Sequence, residues 1–344
     1  MRINNGGLLI LKGHEVFSLL DGQEKVLSDI VRRAYQAHAQ GDSSLPHSTF
    51  LRFPDNESNR IIALPAYLGG EFGVAGVKWV SSFPGNLSRG MDRASAVVIL
   101  NSPHTGRPEA IIEASIISAK RTAASAALAA QCFHVGDKNS RAGIIGAGLI
   151  NFEIMKSLLA VRPELRTFHI FDLDRARAVQ FKNKCLETFE QVELSIEKDL
   201  DNVLKNCSLL SFATTAAQPY ISDLSVCPPG TTVLHVSLRD LSAEVILDSD
   251  NVADDIDHAC RAKTSLHLTE QLVGHRDFIR CTLGDILLGV APARTSAEGR
   301  VVFSPFGLGV LDMAVSRYVC ELALERDLGI VIDEFLPASW VEQK

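Results

Sequence analysis

Between Lys25 and Asp42 the chain reads KVLSDIVRRAYQAHAQGD. Its apolar positions Val26, Ile30, Val31, Ala34 and Ala37 recur at helical steps on one face, and Gly41 supplies the stop. Upstream, LLIL at Leu8–Leu11 is a short apolar run that predicts a strand. After a polar stretch come RIIALPAYL, GVAGVKWVSS, SAVVILN and PEAIIEASI, short β-rich runs separated by Gly, Pro and Asn. NSPHTGRP, between the last two, predicts a turn. No helix alternates with these strands, so the chain up to about Ser118 predicts an α+β unit with an antiparallel sheet.

The pattern changes near Ser118. SAKRTAASAALAAQCF predicts an alanine-rich helix. Strands and helices then alternate: RAGIIG, a helix from Leu149, TFHIFDLD, RARAVQFKNKCLETF, QVELSI, EKDLDNVLKNC, SLLSFATT, TTVLHVSL and NVADDI. Alternation of this kind predicts a doubly wound parallel sheet. SLHLTEQLVGHRDFIRCTLGDILLGVAPAR reads as helices plus a loop. The tail from Ser304 reads as a loop and a long helix with no further parallel strand, free to return to the first unit.

A chain of 344 residues is long enough for two domains. The hydrophobic fraction of 46% and charged fraction of 22% fit a soluble globular enzyme. A net charge of −7 argues against a nucleic-acid binder but leaves room for a local basic pocket that takes an anionic small molecule. The seven cysteines are scattered with no C-x-x-C, and the ten histidines include no H-x-x-x-H or H-E-x-x-H, so no metal site is expected. No run approaches the roughly 20 apolar residues of a membrane span. A cytoplasmic protein is expected.

One stretch carries a chemical signature. RAGIIGAGLINFEIMKSLL places Gly146 and Gly148 between a strand and a helix that opens with Leu149 and Ile150. The first glycine of a dinucleotide loop makes the tight turn, and the second lets the backbone approach a pyrophosphate. The third, a packing position, is Asn151 here. Asp172 stands at the end of the next strand, placed to bind ribose hydroxyls and repel a 2′-phosphate, which favours NAD over NADP. Arg175 and Arg177 would serve a phosphate instead, and a helix cap is the plain alternative for Asp172. Thr214 and Thr215 follow the strand SLLSF, where a cofactor cleft or an ordinary turn would use them equally. The fold expected is therefore α/β: a Rossmann-type doubly wound sheet over residues 118–303, joined to a discontinuous α+β domain of residues 1–117 with 304–344.

Four further residues are candidates for chemistry. Arg52 lies in TFLRFPD. Lys78 lies in GVKWVSS between apolar neighbours, an unusual place for a lysine. Arg121, read as opening the alanine-rich helix, opposes the helix dipole there and so suggests an anion. For each, a surface charge is the plain alternative. Asp240 follows VLHVSLR at the end of a parallel strand, fit for catalysis or for capping a loop.

The stretches GVKWVSS, ASAVVILNSPHTGRPEAIIEASIISAKRTAASAALAA, GIIGAGLI and SPFGLGVLDMAVS together resemble the ornithine cyclodeaminase/μ-crystallin family over nearly the whole chain. Within it, RIIALPAYLGGEFGVAGVKWVSSFPGN, GMDRASAVVILN, TTAAQPYI and HVSLRDLSAEV resemble the branch that makes 2,3-diaminopropionate for siderophores or peptide antibiotics. The resemblance implies NAD-dependent oxidative cleavage of a small amino-acid-derived amine with several carboxylates. It implies that Arg52, Lys78, Arg93 and Arg121 face carboxylates, that Glu71 takes an ammonium, and that Asp240, with Lys78 as a second proton carrier, is the acid/base. It further implies that Thr122, Gly307 and Leu308 approach the cofactor, that Asp312 is structural or cofactor-side, and that the discontinuous domain dimerises through its sheet.

Overall fold

The computed structural model describes residues 7–135 and 141–337. From the start of the chain the elements are β1 (Leu8–Leu11), α1 (Gly13–Leu20), α2 (Glu24–Ala39), β2 (Ser43–Ser44), β3 (Thr49–Phe53), β4 (Asn56–Leu68), β5 (Val74–Ser82), β6 (Ala94–Asn101), β7 (Pro108–Glu113) and α3 (Ser115–Phe133). There follow β8 (Arg141–Ile145), α4 (Leu149–Val161), β9 (Thr167–Phe171), α5 (Arg175–Thr188), β10 (Glu193–Ile196), α6 (Leu200–Asn206), β11 (Leu209–Phe212), β12 (Thr232–His235), α7 (Ala243–Leu247) and β13 (Asp250–Ala253). The chain ends with α8 (Ile256–Ala259), α9 (Ser265–Val273), β14 (Ile279–Thr282), α10 (Leu283–Leu287), β15 (Val301–Ser304), α11 (Gly309–Glu325) and β16 (Ile330–Ile332). Two compact units divide it: residues 1–23, 37–121 and 308–344, and residues 24–36 and 122–307. Most of α2 therefore groups with the second unit, and the crossing points fall at 121/122 and 307/308.

The first unit is built on one sheet in the order β16-β1-β7-β6-β5-β4-β2, with β3 also on β4. It is antiparallel apart from β1 and β7, which run parallel. Period-two alternation sets its faces. Leu64, Ala66, Val98, Leu100, Ala110 and Ile112 are buried on one face, where α11 packs. Tyr67 and Trp79, on the other, are 40% exposed each.

Four expectations fail in this part of the chain. Val26 is 41% exposed, and the buried stripe of α2 is Leu27, Ile30, Val31, Ala34 and Tyr35, one step round the helix. The stretch taken as a polar loop contains β3, whose half-exposed ribbon hides its alternation. The helix α1 was not foreseen; Glu15 accepts the Lys12 N–H in its first turn. Finally α3 begins at Ser115 because the Glu113 carboxylate accepts the Ser115 N–H at 2.7 Å.

The second unit holds a wholly parallel sheet in the order β10-β9-β8-β11-β12-β15-β13-β14. Strands β11, β12 and β15 are buried at every position, as expected of a sheet covered on both faces. Leu210, Phe212, Val233, Val245, Leu266 and Val302 belong to one apolar cluster, each fully buried side chain of this kind contributing about 1.5–3 kcal/mol. Two strands here, β14 and β15, lie beyond the stretch whose strand–helix alternation is legible, β14 within a stretch that reads as helices plus a loop. No helix among the described residues is long and apolar enough to cross a membrane.

Candidate active site

The neighbours of β8 in its sheet are β9 and β11, so the chain leaves β8 in both directions across the sheet. In open α/β sheets ligands bind at such a reversal, beyond the carboxyl ends of the strands. Gly146 stands there with φ +96°, and a Cβ on it would lie 2.6 Å from the Ala213 carbonyl oxygen. Gly148 then enters α4 with extended backbone, and Leu149, the first helical residue, is 58% exposed. Ile150 follows, half-buried. The result is a side-chain-free turn leading to the positive end of a 13-residue helix, the arrangement that accepts a pyrophosphate. Gly146→Ala should therefore weaken NADH binding about 10–100-fold through strain of about 1–3 kcal/mol. Fluorescence titration measures it, and an unchanged affinity would mean that this loop does not hold the cofactor.

Asn151 is fully buried. Its amide donates to the carbonyls of Ile145 at 2.9 Å and Gly146 at 2.7 Å, and its carbonyl accepts the Ser211 hydroxyl at 2.7 Å. The departure from a small third residue thus becomes a polar clamp that ties the glycine turn to β11. Asp172 accepts the Ala147 N–H at 2.7 Å and the Asp174 N–H at 2.9 Å. The helix cap of α5 is Asp174, which accepts from Ala176 and Arg177, so capping does not explain Asp172. Its charge lies against the glycine turn, on the side where the ribose is expected.

Asp240 is fully buried. It accepts the hydroxyls of Thr214 and Ser237, and His235 Nε2 lies 3.3 Å from Oδ2. Burial pushes its carboxyl up, but His235 and the two hydroxyls outweigh burial and hold it below the ordinary range. This carboxylate is ionised at neutral pH and already engaged. In that form Asp240 can accept a proton but has none to give, and its contacts tie together the loops after β11 and β12. Beside it, Thr214 is turned inward, whereas Thr215 is exposed. His235 and Ser237 escaped the sequence reading because only their meeting with Thr214 gives them a role.

In the first unit, Lys78 is 2% exposed. Its Nζ donates to Asp312 Oδ2 at 2.7 Å and to Ser118 Oγ at 3.3 Å. Arg121, 7% exposed, donates Nε to Asp312 Oδ1 at 3.0 Å. Arg121 is not at a helix N-terminus, since α3 starts six residues earlier; the anion its position suggested is Asp312, from the first turn of α11. Burial first, and then the Arg121 charge, lower the Lys78 ammonium to about 8, while Asp312 holds it up. Two cations share one carboxylate away from water, and the surplus positive charge calls for a further anion. A third Nζ–H of Lys78 and the Nη groups of Arg121 remain to bind it.

The other candidates scatter. Arg52 is exposed on β3 with its guanidinium 5.5 Å from the Phe50 ring centre. Glu71 is exposed. It lines a groove of 930 Å³ with Tyr67, Asn101, His104 and Arg317, whose Pro65, Tyr67 and Val77 side chains belong to the sheet face opposite Lys78. Arg93, half-buried, precedes β6, and its carbonyl accepts the Phe83 N–H. Thr122 follows Arg121 in α3, half-buried. Gly307 and Leu308 are buried at the entry to α11, and the Asp254 carboxylate, missed in the sequence, accepts the Phe306 and Gly307 N–H groups at 2.9 and 2.7 Å.

The chain is 28% identical to an N-((2S)-2-amino-2-carboxyethyl)-L-glutamate dehydrogenase of Staphylococcus aureus, over 96% of this chain and 99% of that one. An archaeal alanine dehydrogenase dimer with bound NAD superposes with a TM-score of 0.84 at 27% identity, over 95% of this chain and 99% of that one. The Δ1-pyrroline-2-carboxylate reductase of Thermococcus litoralis, in complex with NADH and L-proline, shares the fold with a TM-score of 0.87 at 24% identity, over 94% and 99% of the two chains. The model of the ornithine cyclodeaminase/mu-crystallin family matches residues 10–327, and the chain belongs to that family.

Proposed function

We propose that the chain is an NAD-dependent oxidoreductase that cleaves N-(2-amino-2-carboxyethyl)-L-glutamate to L-2,3-diaminopropionate and 2-oxoglutarate. The observation that carries the reading is the buried pairing of Lys78 and Arg121 on a single carboxylate, Asp312. It leaves an excess of positive charge suited to an amino-acid carboxylate. The glycine turn fits the cofactor, because Gly146 occupies space and a backbone angle that no side chain shares. The likeness to the staphylococcal dehydrogenase supports the substrate, and the NAD-bound archaeal relative supports the cofactor.

Held at the Gly146–Leu149 turn, NAD⁺ would supply the acceptor for the hydride that leaves the glutamate Cα. The chain's residues do the rest. The Arg121 guanidinium holds the α-carboxylate and orients that carbon, the Lys78 ammonium adding its charge as the substrate enters. Lys78, its ammonium lowered by burial to about 8, takes the amine proton and, once water has added to the imine carbon, returns a proton to the leaving nitrogen. The balance is one amine, one NAD⁺ and one water giving 2-oxoglutarate, diaminopropionate, NADH and a proton. Asp240, ionised and fixed, keeps the Thr214 loop in place. The exposed sheet face around Trp79 and Tyr67 supports a homodimer through that face.

NADH absorbance tests the reading with the glutamate adduct, L-alanine and L-ornithine in parallel. The adduct should give NADH; NADH from alanine alone, or none with the adduct, would overturn it. The Asp172 carboxylate against the glycine turn supports a preference for NAD⁺, since it would repel a 2′-phosphate, and kcat/KM should favour NAD⁺ over NADP⁺ by at least ~10-fold. Equal values would remove Asp172 from the ribose site.

A further inference from the structure

Asp240 sits in a turn whose backbone is strained. Leu238, two residues before it, has φ +70°, in the left-handed region that residues with a Cβ disfavour. A second segment grips the turn there. Ala262 and Lys263 are left-handed too, at φ +53° and +56°, and both of their carbonyls meet the Arg239 guanidinium. Its Nη2 donates to the Ala262 oxygen at 2.8 Å and its Nε to the Lys263 oxygen at 3.1 Å. Ser265, the first residue of α9, donates its N–H to the Leu238 carbonyl at 2.7 Å and its hydroxyl to the Leu241 carbonyl at 2.6 Å. Strain of this kind persists only where the surrounding contacts over-determine the backbone. The turn in turn holds the loop after β11. Asp240 accepts the Thr214 hydroxyl with its side chain, and its carbonyl accepts the Tyr220 and Ile221 N–H groups at 3.0 and 2.8 Å. Thr214 adjoins the glycine turn, since a Cβ on Gly146 would lie 3.4 Å from the Thr214 Cα. Strand β8 lies between β9, which Asp172 follows, and β11, which Thr214 follows. A dinucleotide with its adenosine ribose at Asp172 and its pyrophosphate at the glycine turn therefore runs on toward the Thr214 side.

We infer that Arg239 is a positioning residue: its clasp on the Ala262 and Lys263 carbonyls keeps Leu238 left-handed and so, through Asp240, holds the Thr214 loop in place for the nicotinamide half of the cofactor. The inference deepens the proposed function and rests on it for the lie of NAD. Without the clasp the turn relaxes out of the left-handed region, and binding must drive it back at a cost in affinity. The glycine turn and Asp172 stand apart from the clasp, so the cost falls on the nicotinamide half alone. Arg239 was not singled out in the sequence, because the carbonyls it grips lie 23 and 24 positions further on.

The test compares NADH with ADP, which lacks the nicotinamide riboside, with binding to the whole enzyme followed by calorimetry. R239M should bind NADH about 5–30-fold more weakly, the scale of one left-handed residue with a Cβ, and ADP within about 2-fold of its parent. R239K, which keeps a donor but not the fork, should fall between. The double variant L238N/R239M should recover the NADH affinity, because asparagine enters the left-handed region readily. L238A/R239M, as strained as leucine, should not. An arginine that merely supports the fold would weaken both ligands together and gain nothing from asparagine. ADP binding identifies folded protein. An unchanged NADH affinity in R239M, an equal loss of ADP affinity, or no recovery in L238N/R239M overturns the clasp. Should the glutamate adduct prove not to be oxidised while the loss of NADH affinity and its rescue persist, the proposed substrate falls and the clasp stands.

Discussion

A Lys78→Met enzyme is expected to bind NADH like its parent and to turn over about 10²–10⁴-fold more slowly, the range of a lost general acid–base group. The prediction follows from where the lysine sits. Its ammonium is buried in the sheet, and burial together with Arg121 brings its pKa down to about 8. Amine oxidation needs a group that accepts a proton, so the neutral form is the active one. The kcat/KM of the parent should rise with pH through about 8 and level off above it. In Lys78→Met that limb should vanish. Methionine fills much of the same volume, and Asp312 keeps Arg121 as its partner, so the fold should survive. A variant with the parental rate and the same alkaline limb would exclude Lys78 as the proton carrier.

Asp312→Asn should have the second large effect, chiefly on stability. The carboxylate is fully buried and is the anion shared by Lys78 and Arg121. Removing one partner of a buried ionic group leaves uncompensated charge and costs about 3–5 kcal/mol. Denaturant unfolding of the first unit should show a loss of this size. The pH profile gives a second readout. Asp312 holds the Lys78 pKa up, so its loss lets burial and Arg121 act unopposed. The alkaline limb should move to lower pH, and the fraction of neutral Lys78 at pH 7 should grow. Unchanged stability together with an unmoved limb would contradict the ionic cluster. Rescue of stability by Asp312→Glu with the limb near its parental position would support it.

Much of this frame was legible in the sequence because it depends on local patterns. Alternation in GVAGVKWVSS and SAVVILN marked β5 and β6, and β-to-α alternation after Ser118 marked the parallel sheet. Gly146 was visible through its setting between a strand and a helix. What escaped were pairings over long separations. Arg121 and Asp312 lie 191 positions apart, and no spacing rule joins them. Arg121 looked like a helix-opening cation because the Glu113 cap, which starts α3 earlier, lay in a stretch read as strand. Asp240 looked like a catalytic acid at a strand end. Its engagement by Thr214, Ser237 and His235 depends on the segments after β11 and β12 meeting.

The most direct measurement follows a single deuterium. The adduct is prepared with deuterium at the glutamate Cα and mixed with the enzyme and NAD⁺ for one turnover. The account predicts that the deuterium appears in the reduced cofactor, one for each 2-oxoglutarate and diaminopropionate released, and that NADH formation slows with the label if hydride transfer limits the rate. Deuterium retained in an amino-acid product, with no net reduced cofactor, would show internal return of the hydride, as a cyclodeaminase would give, and would contradict oxidative cleavage.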